Sequence, residues 1–142
     1  MKRHYYYTNQ TCHRHKAREI ELRIEKETGL RLENPFYDGD HKEIADLDAG
    51  RPIKISADEI VGMDLRKVRD ADGIVALLSS VRNIGSAMEI AIGAYAWGKP
   101  VYVIATNKKL YDHPWVIYFA TRRFRTPSEF IKWYHKEGYS IG

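Results

Sequence analysis

Five consecutive apolar residues, Ile74-Val75-Ala76-Leu77-Leu78, constrain this chain more than any other stretch. A strand with one wet face alternates apolar and polar side chains. A strand with no polar interruption is buried on both faces, as in a parallel sheet covered by helices. The predicted strand runs from Gly73 to Leu78, and a polar loop follows from Ser79 to Gly85. A helix is predicted from Ser86 to Trp97, stopped by Gly98, with Lys99 near its end and Pro100 just beyond. Val101 to Ala105 repeats the buried-strand pattern.

Glu89 falls in the first turn of that helix, just past the C-terminal end of the strand. Open α/β sheets bind ligands in the crevice at those ends. Its neighbours are small or apolar: Gly85, Ser86, Ala87, Met88, Ile90, Ala91 and Gly93. A carboxylate in that company is either a partner of the positive helix end or a reactive group. Position alone leaves both open.

Asp64, the later Asp72-Gly73, the apolar strand, Gly85-Ser86-Ala87-Met88-Glu89-Ile90 and Ala94-Tyr95-Ala96-Trp97-Gly98-Lys99-Pro100-Val101 form a joint pattern. It resembles the nucleoside 2-deoxyribosyltransferase family, which includes the deoxynucleotide N-glycosidases. The match spans the middle of the chain and is looser elsewhere. The resemblance implies that Glu89 attacks C1′ of a 2-deoxyribose and forms a glycosyl-enzyme ester as the base departs. A second base, or water, then takes the sugar. A carboxylate suits an oxocarbenium-like transition state, because it neutralises charge and forms the bond. The departing base needs a proton; the sequence names no residue to give it.

The resemblance also implies roles for other residues. Tyr6, with Tyr7 close behind, matches the tyrosine that ends the family's first strand and orients the acid. Asn9 follows at the mouth. Asp64 matches an acid that contacts the sugar, although by pattern alone it is a surface acid beside basic neighbours. Before the family's nucleophile, nucleoside transferases carry Asp and nucleotide hydrolases carry Ser. Here the position is Asn83, with Arg82 beside it and Gly85 and Ser86 opening the helix. Asn bonds a hydroxyl or a phosphate, so transfer between nucleosides and hydrolysis of deoxynucleoside monophosphates both stand. So does a nucleotide-binding module of the same fold without turnover. No cofactor is expected. The expected partners are a nucleoside or nucleotide, a free base and further copies of the chain, without nucleic acid or membrane.

The rest of the chain supplies the remaining layers. Tyr5-Tyr6-Tyr7 reads as a first strand ending at Thr8-Asn9-Gln10. A helix from about His13 to Thr28 buries Ala17, Ile20 and Ile24 and stops at Gly29. Cys12, His13 and His15 are too closely spaced for a helical metal pair, and the stretch reads as a solvated basic helix start. Leu30 to Leu32 is a second strand, followed by a long polar loop from Phe36 to Pro52.

Ser56-Ala57-Asp58-Glu59 is a capping box opening a helix to about Arg69, with Val61, Leu65 and Val68 inward. Asp112 is expected to cap a helix at Pro114, with Trp115 and Tyr118 in the core or an interface. Phe124 marks a short fifth strand. Thr126-Pro127-Ser128-Glu129 opens the last helix, with Phe130, Ile131, Trp133 and Tyr134. Strands alternating with helices predict one doubly wound parallel sheet of flavodoxin-like order 2-1-3-4-5.

Composition adds bounds. The 142 residues suit a single domain. No apolar run approaches the roughly 18 residues of a membrane span. The N-terminus has no long apolar core, and Cys12 has no cysteine partner in the chain, so a reducing, cytoplasmic setting is expected. A net charge of +4 suits an anionic ligand without demanding nucleic acid.

Overall fold

In a computed structural model of the chain, residues 3–10, 13–37, 48–52, 56–80 and 84–137 are described. Their strands are β1 (His4–Thr8), β2 (Arg31–Glu33), β3 (Gly73–Leu78), β4 (Val101–Ala105) and β5 (Arg122–Phe124). The helices are α1 (Arg14–Thr28), α2 (Ala57–Asp70), α3 (Ile84–Ala91), α4 (Lys108–Tyr111), α5 (Pro114–Phe119) and α6 (Pro127–Lys136). The sheet is parallel throughout, in the order β2-β1-β3-β4-β5. This is the expected doubly wound α/β architecture.

The central strands β1, β3 and β4 feed both faces because their side chains alternate. Tyr5, Tyr7, Val75, Leu77, Tyr102, Ile104 and Phe124 pack with residues of α1 and α6. Tyr6, Ile74, Ala76, Leu78, Val101, Val103 and Ala105 pack on the other side with Val68, Ile90 and Leu110. All six residues of β3 are buried, as its apolar run requires. The chain passes from β1 outward to β2, then returns to β3 on the other side of β1. The switch point therefore lies between the C-terminal ends of β1 and β3, where such sheets bind ligands.

Several local expectations need correction. Of Val61, Leu65 and Val68, only Val68 is buried, and Val61 is 53% exposed. The inward stripe of α2 is rotated because it carries Asp64 and Lys67, and Lys67 pairs with Glu33 at 2.8 Å. The helix around Glu89 starts at Ile84, earlier than Ser86, and changes pitch after Ala91. Residues Ile92–Ala96 form a π-helix, with Trp97 N–H bonded to the Ile92 carbonyl at 3.2 Å. His113, in place of Asp112, caps α5: its Nδ1 accepts from Trp115 N–H at 3.3 Å. Trp115 and Tyr118 are 68% and 73% exposed, so they are not core.

The Gly98-Lys99-Pro100 segment serves the scaffold. Gly98 takes φ 62° and ends the π-helix. Lys99 Nζ donates to the Ala71 carbonyl at 2.7 Å, tying the end of α2 to the start of β4. Among the described residues, no helix is long and apolar enough to cross a membrane.

Candidate active site

The site is built from the two ends that the switch point brings together. β1 presents Tyr6 and Thr8 on one face, because they are two residues apart. α3 packs on that face and points Ser86 and Glu89 at them, one turn apart. Tyr6 Oη donates to Glu89 Oε2 at 2.5 Å, and Thr8 Oγ1 donates to Glu89 Oε1 at 2.7 Å. Thr8 Oγ1 also lies 2.6 Å from Ser86 Oγ. A hydroxyl has one proton, so with Thr8 donating to Glu89 it is Ser86 that donates to Thr8. Both carboxylate oxygens of Glu89 thus accept a hydroxyl hydrogen, an arrangement matched to the ionised acid. Glu89 is partly exposed, whereas Ser86 and Thr8 are buried.

Tyr6 is fully buried. Burial pushes its pKa well above the ordinary phenol value, and the charges of Glu89, Asp64 and Glu33 add to the rise. It therefore stays a proton donor to Glu89. Asp64, half-buried on α2, is near enough for its charge to act on the Tyr6 hydroxyl. Glu33 lies 2.7 Å from His4 Nε2 and is paired with Lys67 at 2.8 Å, whose positive charge offsets the negative charge gathered around Tyr6.

The other expected contacts divide. Tyr7 does not join Glu89: its ring lies among the α1-side residues, and its hydroxyl donates to the Ala17 carbonyl at 2.9 Å. The alternation that brings Tyr6 inward turns Tyr7 away. Asn9 is buried at the mouth of β1. Its Nδ2 donates to the Tyr7 carbonyl and to Asn34 Oδ1, both at 3.3 Å, and its Oδ1 has no hydrogen-bond partner among the described residues. Asn34 Oδ1 also accepts from Phe36 N–H, and its Nδ2 donates to buried Glu21 at 2.7 Å. Glu21 pairs with Arg18. The acceptors around Asn9 therefore fix its amide with the carbonyl oxygen unspent. Gly85 is exposed at the start of α3. Arg82 and Asn83 lie outside the described residues, as does most of the 36–52 loop.

Three features escaped the sequence. Thr8 was legible only as the end of a strand, although its two-residue offset from Tyr6 puts it on the Glu89 face. Glu21 occupies an inward position of α1, which an apolar stripe does not reveal. His13 is exposed, but it is not merely solvated: its Nδ1 is 2.8 Å from Ser79 Oγ, just past β3. On the other side of α3, a cavity of about 270 Å³ is lined by Leu78, Ser80, Ala87, Ile90, His113 and Trp115. Glu89 is not among its lining residues.

No protein-family model and no curated protein matches the sequence. Solved structures do match the fold. A conserved protein from Enterococcus faecalis V583 superimposes with a TM-score of 0.69 at 16% identity, over 93% of this chain and 96% of that one. A 2-deoxyribosyltransferase from the psychrotolerant bacterium Bacillus psychrosaccharolyticus gives 0.56 at 14% identity, over 90% of both chains. A 2-deoxyribosyltransferase from Leishmania mexicana gives 0.52 at 18% identity, over 74% of this chain and 65% of that one. The chain shares its doubly wound fold with solved 2-deoxyribosyltransferases.

Proposed function

We propose that the chain cleaves the N-glycosidic bond of a 2-deoxyribonucleoside through a Glu89 glycosyl-enzyme ester and passes the deoxyribosyl group to a second base. The observation that carries this reading is the clamp on Glu89, whose two oxygens accept from Tyr6 and Thr8 at 2.5 and 2.7 Å. Such a clamp holds a carboxylate in one orientation at a crevice, as a nucleophile requires. A fold shared with two proteins described as 2-deoxyribosyltransferases supports the same chemistry.

In this reading Glu89 attacks C1′ and the C1′–N bond breaks, leaving the sugar esterified to Glu89. Tyr6 and Thr8 hold the carboxylate, and Ser86 holds Thr8. Asp64 contacts a sugar hydroxyl, and the free Asn9 carbonyl oxygen accepts from a donor on the substrate. The exposed aromatic side chains Tyr95, Trp115 and Tyr118 lie against Phe119, and we assign this face to contact with a second copy of the chain.

The test is chromatography of deoxynucleosides and their monophosphates incubated with and without a free base, alongside Glu89→Ala. Exchange of the base that vanishes in the variant, with a sugar adduct on the Glu89 peptide by mass spectrometry, is the expected result. Free base and sugar phosphate from monophosphates alone would replace transfer by hydrolysis. No product from any substrate would overturn the reading. Light scattering across a concentration series tests the assembly, and a monomer throughout would remove it.

A further inference from the structure

His13 ends the turn that leaves β1, where its backbone N–H bonds to the Gln10 carbonyl at 3.0 Å. Its side chain does not cap α1. Instead it crosses the edge of the sheet, with Nδ1 2.8 Å from Ser79 Oγ. Ser79 is the first residue past β3. One imidazole therefore joins the segments that follow β1 and β3, at the switch point. The side chain is exposed and belongs to neither apolar cluster. Among the described residues Nε2 has no hydrogen-bond partner, so one nitrogen of this exposed side chain is held and the other is open to a ligand.

We propose that His13 is the catalytic acid that protonates the departing base, with Ser79 as the positioning residue that fixes its ring. This rests on the glycosyl-transfer reading above. In the imidazolium form both ring nitrogens donate. Nδ1–H goes to Ser79 Oγ, and Nε2–H points at the base. As Glu89 forms its bond to C1′, the C1′–N pair moves onto the base nitrogen, which takes the Nε2 proton. The products are the neutral free base, the ester on Glu89 and a neutral imidazole whose Nδ1–H stays on Ser79. Bare Nε2 then accepts the proton that the incoming base or water must lose. Histidine is the side chain suited to give and take one proton near neutrality.

The test compares substrates whose bases need that proton with matched ones whose bases do not. Deoxyguanosine is paired with 7-methyl-2′-deoxyguanosine, whose cationic base leaves neutral. Thymidine is paired with 5-nitro-2′-deoxyuridine, whose base leaves as a stabilised anion. On the pair that the wild type turns over, His13→Gln is expected to lower kcat/KM about 100-fold for the natural member and less than about 3-fold for its partner. Ser79→Ala shifts the ratio the same way by a smaller factor. Equal losses on both members would reduce His13 to a structural contact, and no loss on the natural member would remove it from the reaction. A wild type inactive on both pairs would overturn the glycosyl-transfer reading itself, and this inference with it.

Discussion

Tyr6 and Glu89, 83 residues apart in the chain, meet at 2.5 Å, with the phenol donating to the carboxylate. The contact joins the first strand to the helix after the third. Tyr6→Phe removes the donor and keeps the ring that packs with Ile74 and Val68. A hydrogen bond to a charged group is worth about 1.5–3 kcal/mol, so kcat is expected to fall about 10- to 100-fold. Steady-state kinetics checks this, and unchanged circular dichroism shows that the fold survives.

Thr8 is the second donor to Glu89, and it is buried against Ser86. Thr8→Val conserves shape but removes one hydrogen-bond partner from the buried Ser86 hydroxyl and one from a Glu89 carboxylate oxygen. Stability is expected to drop by about 1–3 kcal/mol, together with activity. Thr8→Ser, which keeps the oxygen, is expected to recover most of both. Urea unfolding and kinetics on the three proteins decide. A valine variant as active as wild type would mean that Thr8 does not orient Glu89.

The sheet order and the buried strands were legible because burial on both faces leaves a composition signal that needs no partner. Glu89 was legible as a candidate because the motifs around it resemble a known family; its place in a first turn equally suits a partner of the positive helix end. Thr8, Glu21 and His13 were not. Each acts through one long-range contact, and a single polar residue carries no periodicity that announces its partner. Tyr6 and Tyr7 form the instructive pair: adjacent and chemically identical, they differ only in parity, and parity sends one to Glu89 and the other to the Ala17 carbonyl. Val61 misled for a related reason. The apolar stripe of α2 carries no sign that Lys67 reaches Glu33 across the fold.

Gly73 opens β3 where two elements leave no room. A Cβ there would sit 2.7 Å from a Tyr5 ring carbon and 2.8 Å from the Pro100 carbonyl oxygen. The second contact is backbone, and that carbonyl already accepts from Ile74 N–H at 2.9 Å. Gly73→Ala is therefore expected to cost about 1–3 kcal/mol through displacement of β4 against β3. Gly85→Ala is a matched control in open space. The difference in denaturation midpoint between the two measures the steric part.

Glu21 is a buried acid inside α1, tied to Arg18 and Asn34. Removing it takes a buried acceptor from Asn34 Nδ2 and a carboxylate partner from Arg18. Glu21→Ala is expected to destabilise by about 3–5 kcal/mol. Glu21→Gln, which retains an acceptor for Asn34, should lose distinctly less. Thermal unfolding of both variants tests the order, and equal losses would mean that the volume of the side chain matters more than its bond to Asn34.

Alkaline pH should unfold this protein in a predictable direction. Burial raises the pKa of Tyr6, Tyr7 and Tyr102 above the ordinary value, with Tyr102 pushed up to about 12. Acid neighbours add to the first two, Glu89 and Asp64 at Tyr6 and Glu21 at Tyr7. An unfolded tyrosine loses its proton near pH 10. Above that pH the folded chain binds more protons than the unfolded one, so the free energy of unfolding falls as pH rises. Below it the contribution is complete and flat. The free energy of unfolding, from urea titrations, is thus expected to hold steady up to about pH 10, then to decline by up to ~1.4 kcal/mol per pH unit for each tyrosine still protonated in the fold. Tyr7→Phe keeps the buried ring and removes one titrating group, so its decline should be shallower by one such share even though the loss of the Ala17 bond lowers its starting stability. An identical slope in wild type and variant would mean that the Tyr7 hydroxyl reaches solvent in the native protein.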